Sequence, residues 1–502
     1  MERAILEAIE DEAKKRLAQY SREAYYIHKH RRKFTKRTGI PASGKAPSPP
    51  QSWSYHKHFD PRYCLNHSKF LAKGIWTALK AGKYEPKPSL RVEIPKPNGN
   101  YRVIDIFSVP DAAVSRVFLS ALRTRNAKFF SDRSYAYQIE KTPLDAVIKL
   151  RSSLKQDTIF ISQYDFSSYF DSLEHSYLID LIENKGEFLI TPLERSLLKA
   201  TIRHQYSASV GPLERRTRGT PQGNSLSLFL ANLAAHPLDE ALDLLNGTFT
   251  RFADDSVVIN TSYEDALRTA DVFHRFAEKS GTSINAVKST GICLLSEADR
   301  EMRTLSEFEF LSYKFRKQGL YVGDKAIRAV KRRCGKIIYN NLLLHLRRTG
   351  KLNGSRIGLG FCDWDLVTCI NELRSYIYGG FSQDALDKIL TGAAPSKYVS
   401  GAVSYFALVE DGSIFRELDG WLVDALNRAY IARTVIAKMK AKITITPIKK
   451  DLLVNGKWYR FARLPLETHL PSFFLAWRAA RMSWLQRGPS GIDSQGLEYA
   501  YL

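Results

Sequence analysis

Three aspartates stand where short apolar runs end or meet, an arrangement suited to holding divalent metal. Ile159-Phe160-Ile161-Ser162-Gln163-Tyr164-Asp165 reads as a largely apolar strand that closes on a carboxylate. Arg251-Phe252-Ala253-Asp254-Asp255-Ser256-Val257-Val258-Ile259 reads as two apolar arms around an acidic pair, the pattern of a tight hairpin. Alone, such a pair is most often a solvated turn. Three carboxylates at strand ends in a strongly basic chain suit phosphoryl transfer to a 3′-hydroxyl. That chemistry uses two Mg²⁺ ions about 4 Å apart, one activating the attacking hydroxyl and one steadying the leaving pyrophosphate. Hard oxygen donors are what Mg²⁺ takes. No Cys/His alternative competes: the five cysteines are scattered without a CxxC pair. His28-Lys29-His30 and His56-Lys57-His58 lack partner ligands nearby in sequence and read as surface residues.

The composition agrees with a polyanionic partner. Lys and Arg number 75 against 52 acidic residues, a formal charge of +23. Phosphate contacts made by such a surplus release condensed counterions. At 44% hydrophobic and 25% charged, the 502 residues read as globular and as more than one domain. No apolar run approaches the roughly 20 residues of a membrane span, and the first residues lack a signal peptide's apolar stretch. The expectation is a cytoplasmic protein with reduced thiols and no membrane partner.

Several elements must position the carboxylates. Helix formers run from Glu2 to about Lys29, followed by the basic run Lys29–Arg37 and a Pro/Ser/Gly-rich linker from Pro41 to Pro50. Arg91–Pro95 and Tyr101–Ile106 predict a β-hairpin with Lys96 near its tip and Arg102 on its second strand. Pro110–Phe130 predicts a helix, strands and helices alternate to about Tyr321, and the chain beyond Lys325 reads as mostly helical. The expected division is 1–85 as a basic N-terminal extension and linker and 86–325 as the catalytic region. A helical domain over 326–440 and an extension over 441–502 complete it.

At this point the chain resembles the reverse transcriptases, in the branch of group II intron, retron and bacterial defence-associated enzymes. Asp165-Phe166-Ser167-Ser168-Tyr169-Phe170-Asp171 is similar to the first catalytic motif. Gly219-Thr220-Pro221-Gln222-Gly223-Asn224-Ser225-Leu226-Ser227 resembles the family's G-x-P-Q-G-x-x-x-S stretch. Phe252-Ala253-Asp254-Asp255 resembles the third motif, with Phe in place of the usual Tyr. Gly281–Ser289, with Lys288, and Phe308–Phe315 resemble the next motif and the primer grip. The resemblance spans roughly residues 90 to 320. It implies an α+β right-hand polymerase fold: fingers and palm with an antiparallel sheet and helices, then a helical thumb and a C-terminal extension. Tyr398–Phe406 and Leu418–Leu422 resemble that thumb more faintly.

The resemblance also implies roles. Asp165, Asp254 and Asp255 are the catalytic metal ligands, for two Mg²⁺ ions with Mn²⁺ as a substitute. Lys96, Arg102, Phe166, Phe170, Gln222, Gly223 and Lys288 line the dNTP site. Phe170 excludes a 2′-hydroxyl, and Lys288 places positive charge, or a general acid, at the pyrophosphate. Phe310, Leu311 and Ser312 form the primer grip. Ser131–Gln138 resembles a short fingers segment, with Gln138 replacing an arginine. Tyr499 and Tyr501 are candidate protein primers. The implied partners are an RNA template, expected to be a dedicated non-coding RNA, together with dNTPs and a DNA product. The implied setting is antiviral defence. A retron-type enzyme making branched RNA–DNA and an RNA-binding maturase-like splicing factor are the alternatives. Oligomerisation through the aromatic, basic C-terminal segment stays open.

Overall fold

The computed structural model describes residues 1–45, 47–95, 99, 101–184, 186–208, 211–298, 300–358, 362–395, 398–459 and 466–493. The chain divides into two compact units, one of residues 1–25, 46–141 and 148–305 and another of 26–45, 142–147 and 306–502. The boundaries expected at 85, 325 and 440 do not coincide with these limits. One reason is local: Ile5, Ile9 and Ala13 are fully buried in the core of the first unit, which ties the N-terminal segment to it.

The first unit holds two sheets. The smaller contains the predicted hairpin as β1 (Ser89–Pro95) and β2 (Tyr101–Ile106), antiparallel with Ile94 opposite Arg102. β4 (Gln205–Ala208) pairs parallel to β1, and β5 (Leu213–Arg215) closes the order β2-β1-β4-β5. The larger sheet contains β3 (Phe160–Asp165), β6 (Thr248–Phe252), β7 (Asp255–Asn260), β8 (Gly291–Leu295) and β9 (Thr304–Leu305), in the order β6-β7-β3-β8-β9. β3 is therefore central and antiparallel to both neighbours. Helix Tyr263–Ser280 lies against this sheet, and its Phe273 stacks on Tyr164 at 3.8 Å. Helix Leu226–Asp243 is buried along nearly its whole length, consistent with its apolar composition on every side. The predicted 110–130 helix is observed as Val109–Asn126, capped by Ser108.

The second unit opens with the meander β10 (Phe308–Phe310), β11 (Tyr313–Phe315) and β12 (Leu320–Val322). The rest is mainly helical, as expected, with long helices at Asp324–Leu342, Trp364–Tyr378, Ser413–Ile436 and Phe473–Arg487. The initial helix does not stop near Lys29 but runs to Thr38, carrying the whole basic run. Its last turn is anchored within this unit, where Arg37 donates to the Asn340 carbonyl at 2.8 Å and to Asp365 at 3.1 Å. The aromatic C-terminal segment is core material. Phe473 is fully buried, Trp477 stacks on Phe415 at 5.3 Å, and Asp419 accepts hydrogen bonds from Ser472 Oγ and the Phe473 amide, both at 2.6 Å. Tyr499 and Tyr501 lie outside the described residues. Among the described residues, no helix is long and apolar enough to cross a membrane, and all five cysteines are buried and unpaired.

Arg433 is the polar centre of this unit. It is 2% exposed, donates to Asp363 at 2.7 and 3.1 Å and to Asp365 at 2.8 Å, and also reaches the Leu342 carbonyl at 2.9 Å. Removing one partner of a buried ion pair leaves the other charge unsolvated. Arg433→Met is expected to destabilise the protein by about 3–5 kcal/mol. In calorimetry it should melt well below wild type, while Arg433→Lys, which keeps a charge, loses less.

Candidate active site

The register of the larger sheet assembles the carboxylates. Asp165, the last residue of β3, lies directly opposite Asp255, the first residue of β7. Directly opposed residues of an antiparallel pair project to the same face, so these two share one side of the sheet. β6 and β7 are joined by a two-residue turn, Ala253-Asp254, with Phe252 opposite Asp255. Ala253 adopts φ 59, a left-handed conformation that a residue with a Cβ takes only at a cost.

A buried arginine holds that turn. Arg251 is 1% exposed and donates to Asp239 through two bonds of 2.7 and 2.5 Å. Its Nη1 donates to the Ala253 carbonyl at 2.9 Å and its Nη2 to Ser134 Oγ at 2.7 Å. Burial alone would favour discharge of Arg251, but the Asp239 carboxylate outweighs it and its pKa lies above the usual arginine value. The main chain adds two bonds, Arg251 N–H to the Arg133 carbonyl at 3.0 Å and Tyr135 N–H to the Arg251 carbonyl at 2.9 Å. Segment 133–135 thereby lines the outer edge of β6. Neither Arg251 nor Asp239 stood out as functional in the sequence. The available signal was an arginine inside an otherwise apolar arm that must be buried.

Around Asp165 the polar contacts are specific. Lys288 Nζ reaches its Oδ1 at 3.0 Å and Asn285 Nδ2 donates to its Oδ2 at 3.1 Å. Asn285 N–H also donates to the Asp165 carbonyl at 2.8 Å, which anchors the loop after helix Tyr263–Ser280. Asp254 has a raised pKa, first through burial and then through the Asp165 charge, with Lys288 and Arg102 opposing the shift. Tyr137, with φ 60, is pushed up to about 12 by burial and then by Asp254, and its ring meets Phe170 edge-on at 6.5 Å.

Phe170 is half-buried, on the short helix Tyr169–Ser172 that follows β3. Its carbonyl accepts from Thr220 N–H at 2.6 Å, and Gly219 N–H donates to the Leu173 carbonyl at 2.7 Å, so the Gly219–Gly223 loop is tied to the Phe170 turn. The close approach needs glycine. A Cβ on Gly219 would lie 2.6 Å from the Asp171 backbone, and one on Gly223 would lie 2.3 Å from the Asp105 carbonyl oxygen. Gln222 donates through Nε2 to Asp171 at 2.7 Å, and its carbonyl accepts from Asp105 N–H at 2.7 Å. Buried Asp105 also accepts from Arg216 and, at 3.1 Å, from Arg91. Asp171 has a raised pKa, through burial first, with Arg216 and Gln222 acting against it.

The structure thus gathers Asp165, Asp254, Asp255, Lys288, Phe170, Gln222 and Gly223 in the first unit. Exposed Arg102 is near enough to Asp254 to influence its ionisation. The Phe166 side chain, 3% exposed and edge-on to Phe276 at 5.3 Å, belongs to the core, so only its main chain can face a ligand. Lys96 lies outside the described residues. Phe310, Leu311 and Ser312 fall in the second unit, where Leu311 (φ 49) and Ser312 (φ 66) make the tight turn between β10 and β11. Phe310 and Leu311 are buried, and the Leu311 carbonyl accepts from Tyr405 Oη at 3.2 Å.

Asp165, Asp254 and Asp255 offer hard oxygen donors without sulfur or imidazole, which suits Mg²⁺-type ions. They do not converge as tightly as a filled site would. Among the described residues, the trio whose ligand atoms all lie within 4.8 Å of one another is elsewhere, at Glu187, His236 and Glu240. Lys288 and Asn285 each contact one Asp165 oxygen, and each oxygen keeps a second lone pair.

A central antiparallel strand ending in Asp165 beside an Ala-Asp-Asp turn, with helices packed against the sheet, gives the first unit a mixed α+β architecture. Residues 94–315 match the family described as reverse transcriptase (RNA-dependent DNA polymerase). The chain is 30% identical to "Protein YkfC" of Escherichia coli over 171 residues, 33% of this chain and 43% of that protein. It is 27% identical to "Group II intron-encoded protein LtrA" of Lactococcus lactis over 187 residues, 37% of this chain and 30% of that one. The chain spans less than half the length of these curated relatives. Among solved structures, telomerase from Candida albicans in complex with a telomeric RNA fragment overlays with a TM-score of 0.40 and 13% identity. That overlay covers 74% of this chain and 67% of that one.

Two predictions follow from these contacts. Arg251→Met should cost about 3–5 kcal/mol by leaving Asp239 buried and unpaired, read as a lowered melting temperature. Asp254→Asn should act in the opposite direction. Because its folded pKa is raised, ionised Asp254 costs stability above that pKa, and the cost fades as pH falls through it. In metal-free buffer at pH 7, Asp254→Asn should melt about 1–3 °C higher than wild type, with the gain vanishing in acid.

Proposed function

We propose that the protein is an RNA-directed DNA polymerase that extends a DNA strand from dNTPs on an RNA template. The observation that carries this reading is the β3–β7 register, which sets Asp165 opposite Asp255 with Asp254 at the adjoining turn. This constellation lies inside the segment matching the reverse transcriptase family. Asp165, Asp254 and Asp255 would hold two Mg²⁺ ions, for which Mn²⁺ can substitute. When bound, the ions lower the pKa of the primer 3′-hydroxyl and stabilise charge on the departing pyrophosphate.

The chain's own side chains supply the rest. Lys288, which is exposed and pairs with Asp165, would move onto the triphosphate and offer charge or a proton to the leaving group. Arg102 offers a planar, permanently charged guanidinium to the same phosphates. Phe170, braced by Tyr137 and by the Gly219–Gly223 loop, presents an aromatic ring where a ribose 2′-hydroxyl would clash. Gly223 lets a nucleotide or template strand approach bare backbone.

The template we propose is a dedicated non-coding RNA, and the biological setting is antiviral defence; both readings rest on the sequence resemblance alone. The similarity to a group II intron-encoded protein of Lactococcus lactis favours one second reading, the RNA-binding, maturase-like alternative.

Labelled-nucleotide incorporation separates these readings. Purified protein with its co-purifying RNA is supplied with Mg²⁺ and each dNTP or rNTP singly. Deoxynucleotide incorporation is expected, falling more than about 100-fold in Asp254→Ala/Asp255→Ala. Phe170→Ala should admit ribonucleotides, narrowing dNTP-over-rNTP discrimination by about 10–100-fold. Equal inactivity of wild type and the double variant on this RNA and on a primed generic template would favour the RNA-binding reading.

A further inference from the structure

A cleft in the first unit, lined in part by Phe130, Ser131, Asp132 and Asp243, gathers three side chains that the polymerase reading does not use. Glu187 stands in the loop after helix His175–Asn184, while His236 and Glu240 are one turn apart on helix Leu226–Asp243. His236 Nε2 lies 2.8 Å from Glu187 Oε1 and 3.5 Å from Glu240 Oε1, and all three ligand atoms fall within 4.8 Å of one another. Zinc bonds of about 2.0–2.2 Å at tetrahedral angles separate neighbouring ligand atoms by about 3.3 Å. The two imidazole–carboxylate distances already bracket that value.

The imidazole is also built into place. His236 is 4% exposed, and Phe188 and Phe130 meet its ring edge-on at 4.9 and 6.1 Å. These rings fix its orientation, with Nε2 turned to the carboxylates. Its Nδ1 is buried without a hydrogen-bond partner. The ring can therefore carry its proton at Nδ1 without breaking a bond there, leaving Nε2 as a lone-pair donor. One neutral nitrogen and two carboxylates form a borderline ligand set that suits Zn²⁺ better than Mg²⁺.

We propose that Glu187, His236 and Glu240 form a zinc site that pins the 186–191 loop to helix Leu226–Asp243, with water completing the coordination. The site is independent of the catalytic carboxylates and of the polymerase reading. Its function is structural. The pinned loop carries Phe188 and Ile190 into the core, and the same helix carries Asp239, the partner of Arg251.

The test titrates Zn²⁺ into metal-depleted full-length protein by calorimetry, in buffer with saturating Mg²⁺ so that catalytic carboxylates are already occupied. One zinc per chain is expected. Binding should weaken at least about tenfold in Glu187→Gln and in Glu240→Gln, and persist in Asp254→Asn. Zinc should also raise the melting temperature of wild type and not that of Glu240→Gln. Both glutamates are only partly buried, so these variants are expected to fold, and circular dichroism checks it. The proposal is overturned if wild type takes up no stoichiometric zinc, if both glutamine variants bind as tightly as wild type, or if Asp254→Asn removes the site. The first of these outcomes would leave His236 as a hydrogen-bonded partner of Glu187 only.

Discussion

The Arg251–Asp239 pair is the constraint on which the candidate catalytic face depends. Arg251 sits on the strand that leads into the Ala253-Asp254 turn, and Asp239 sits on the helix packed behind the sheet. The same guanidinium donates to the Ala253 carbonyl, so one buried charge fixes the helix, the strand and the strained turn together. A tight turn with an L-residue at positive φ persists only where its surroundings over-determine it. Here the surroundings are an ion pair, a side-chain hydroxyl and two main-chain bonds to 133–135. The desolvation cost of such a pair is large, and its benefit is geometric definition more than net stability.

The second constraint is electrostatic. Burial first, and the neighbouring Asp165 charge after it, raise the pKa of Asp254, so keeping these carboxylates ionised on one face is unfavourable. Lys288, Asn285 and Arg102 partly balance it. Such a face is destabilised until opposite charge meets it. This is the usual trade between stability and function at a site that must hold like charges. The glycine contacts serve the same end, because Gly219 and Gly223 bring the Phe170 and Gln222 segments closer than any side chain would allow.

Much of this was legible in the sequence. The strand ending in Asp165, the hairpin around Asp254-Asp255, the β1–β2 hairpin and the helical second half all follow from apolar periodicity and turn residues. Other features were not legible, for identifiable reasons. The initial helix runs on to Thr38 because Arg37 finds tertiary partners that local propensity cannot anticipate. Phe166 reads as a site residue from its place beside Asp165, yet a residue next to a strand end can face the core, and this one does. By type alone Trp477 and Phe473 suit packing, RNA stacking or an interface equally, and the structure packs their helix into the second unit. Glu187 and His236 are far apart along the chain and carry no spacing signature, so only folding could reveal their proximity.

The sequence by itself determined the chemistry: which residues carry carboxylates, which segments are strands or helices, and that the surface favours a polyanion. These properties are local or additive, set by side-chain type, hydrophobic period and net charge. The tertiary structure alone decided which carboxylates share a face, which arginine is buried to hold them, and which aromatic and acidic residues are drawn inward. Register, desolvation and pairing between distant segments depend on contacts made across hundreds of residues. No period or motif in the chain encodes those distances.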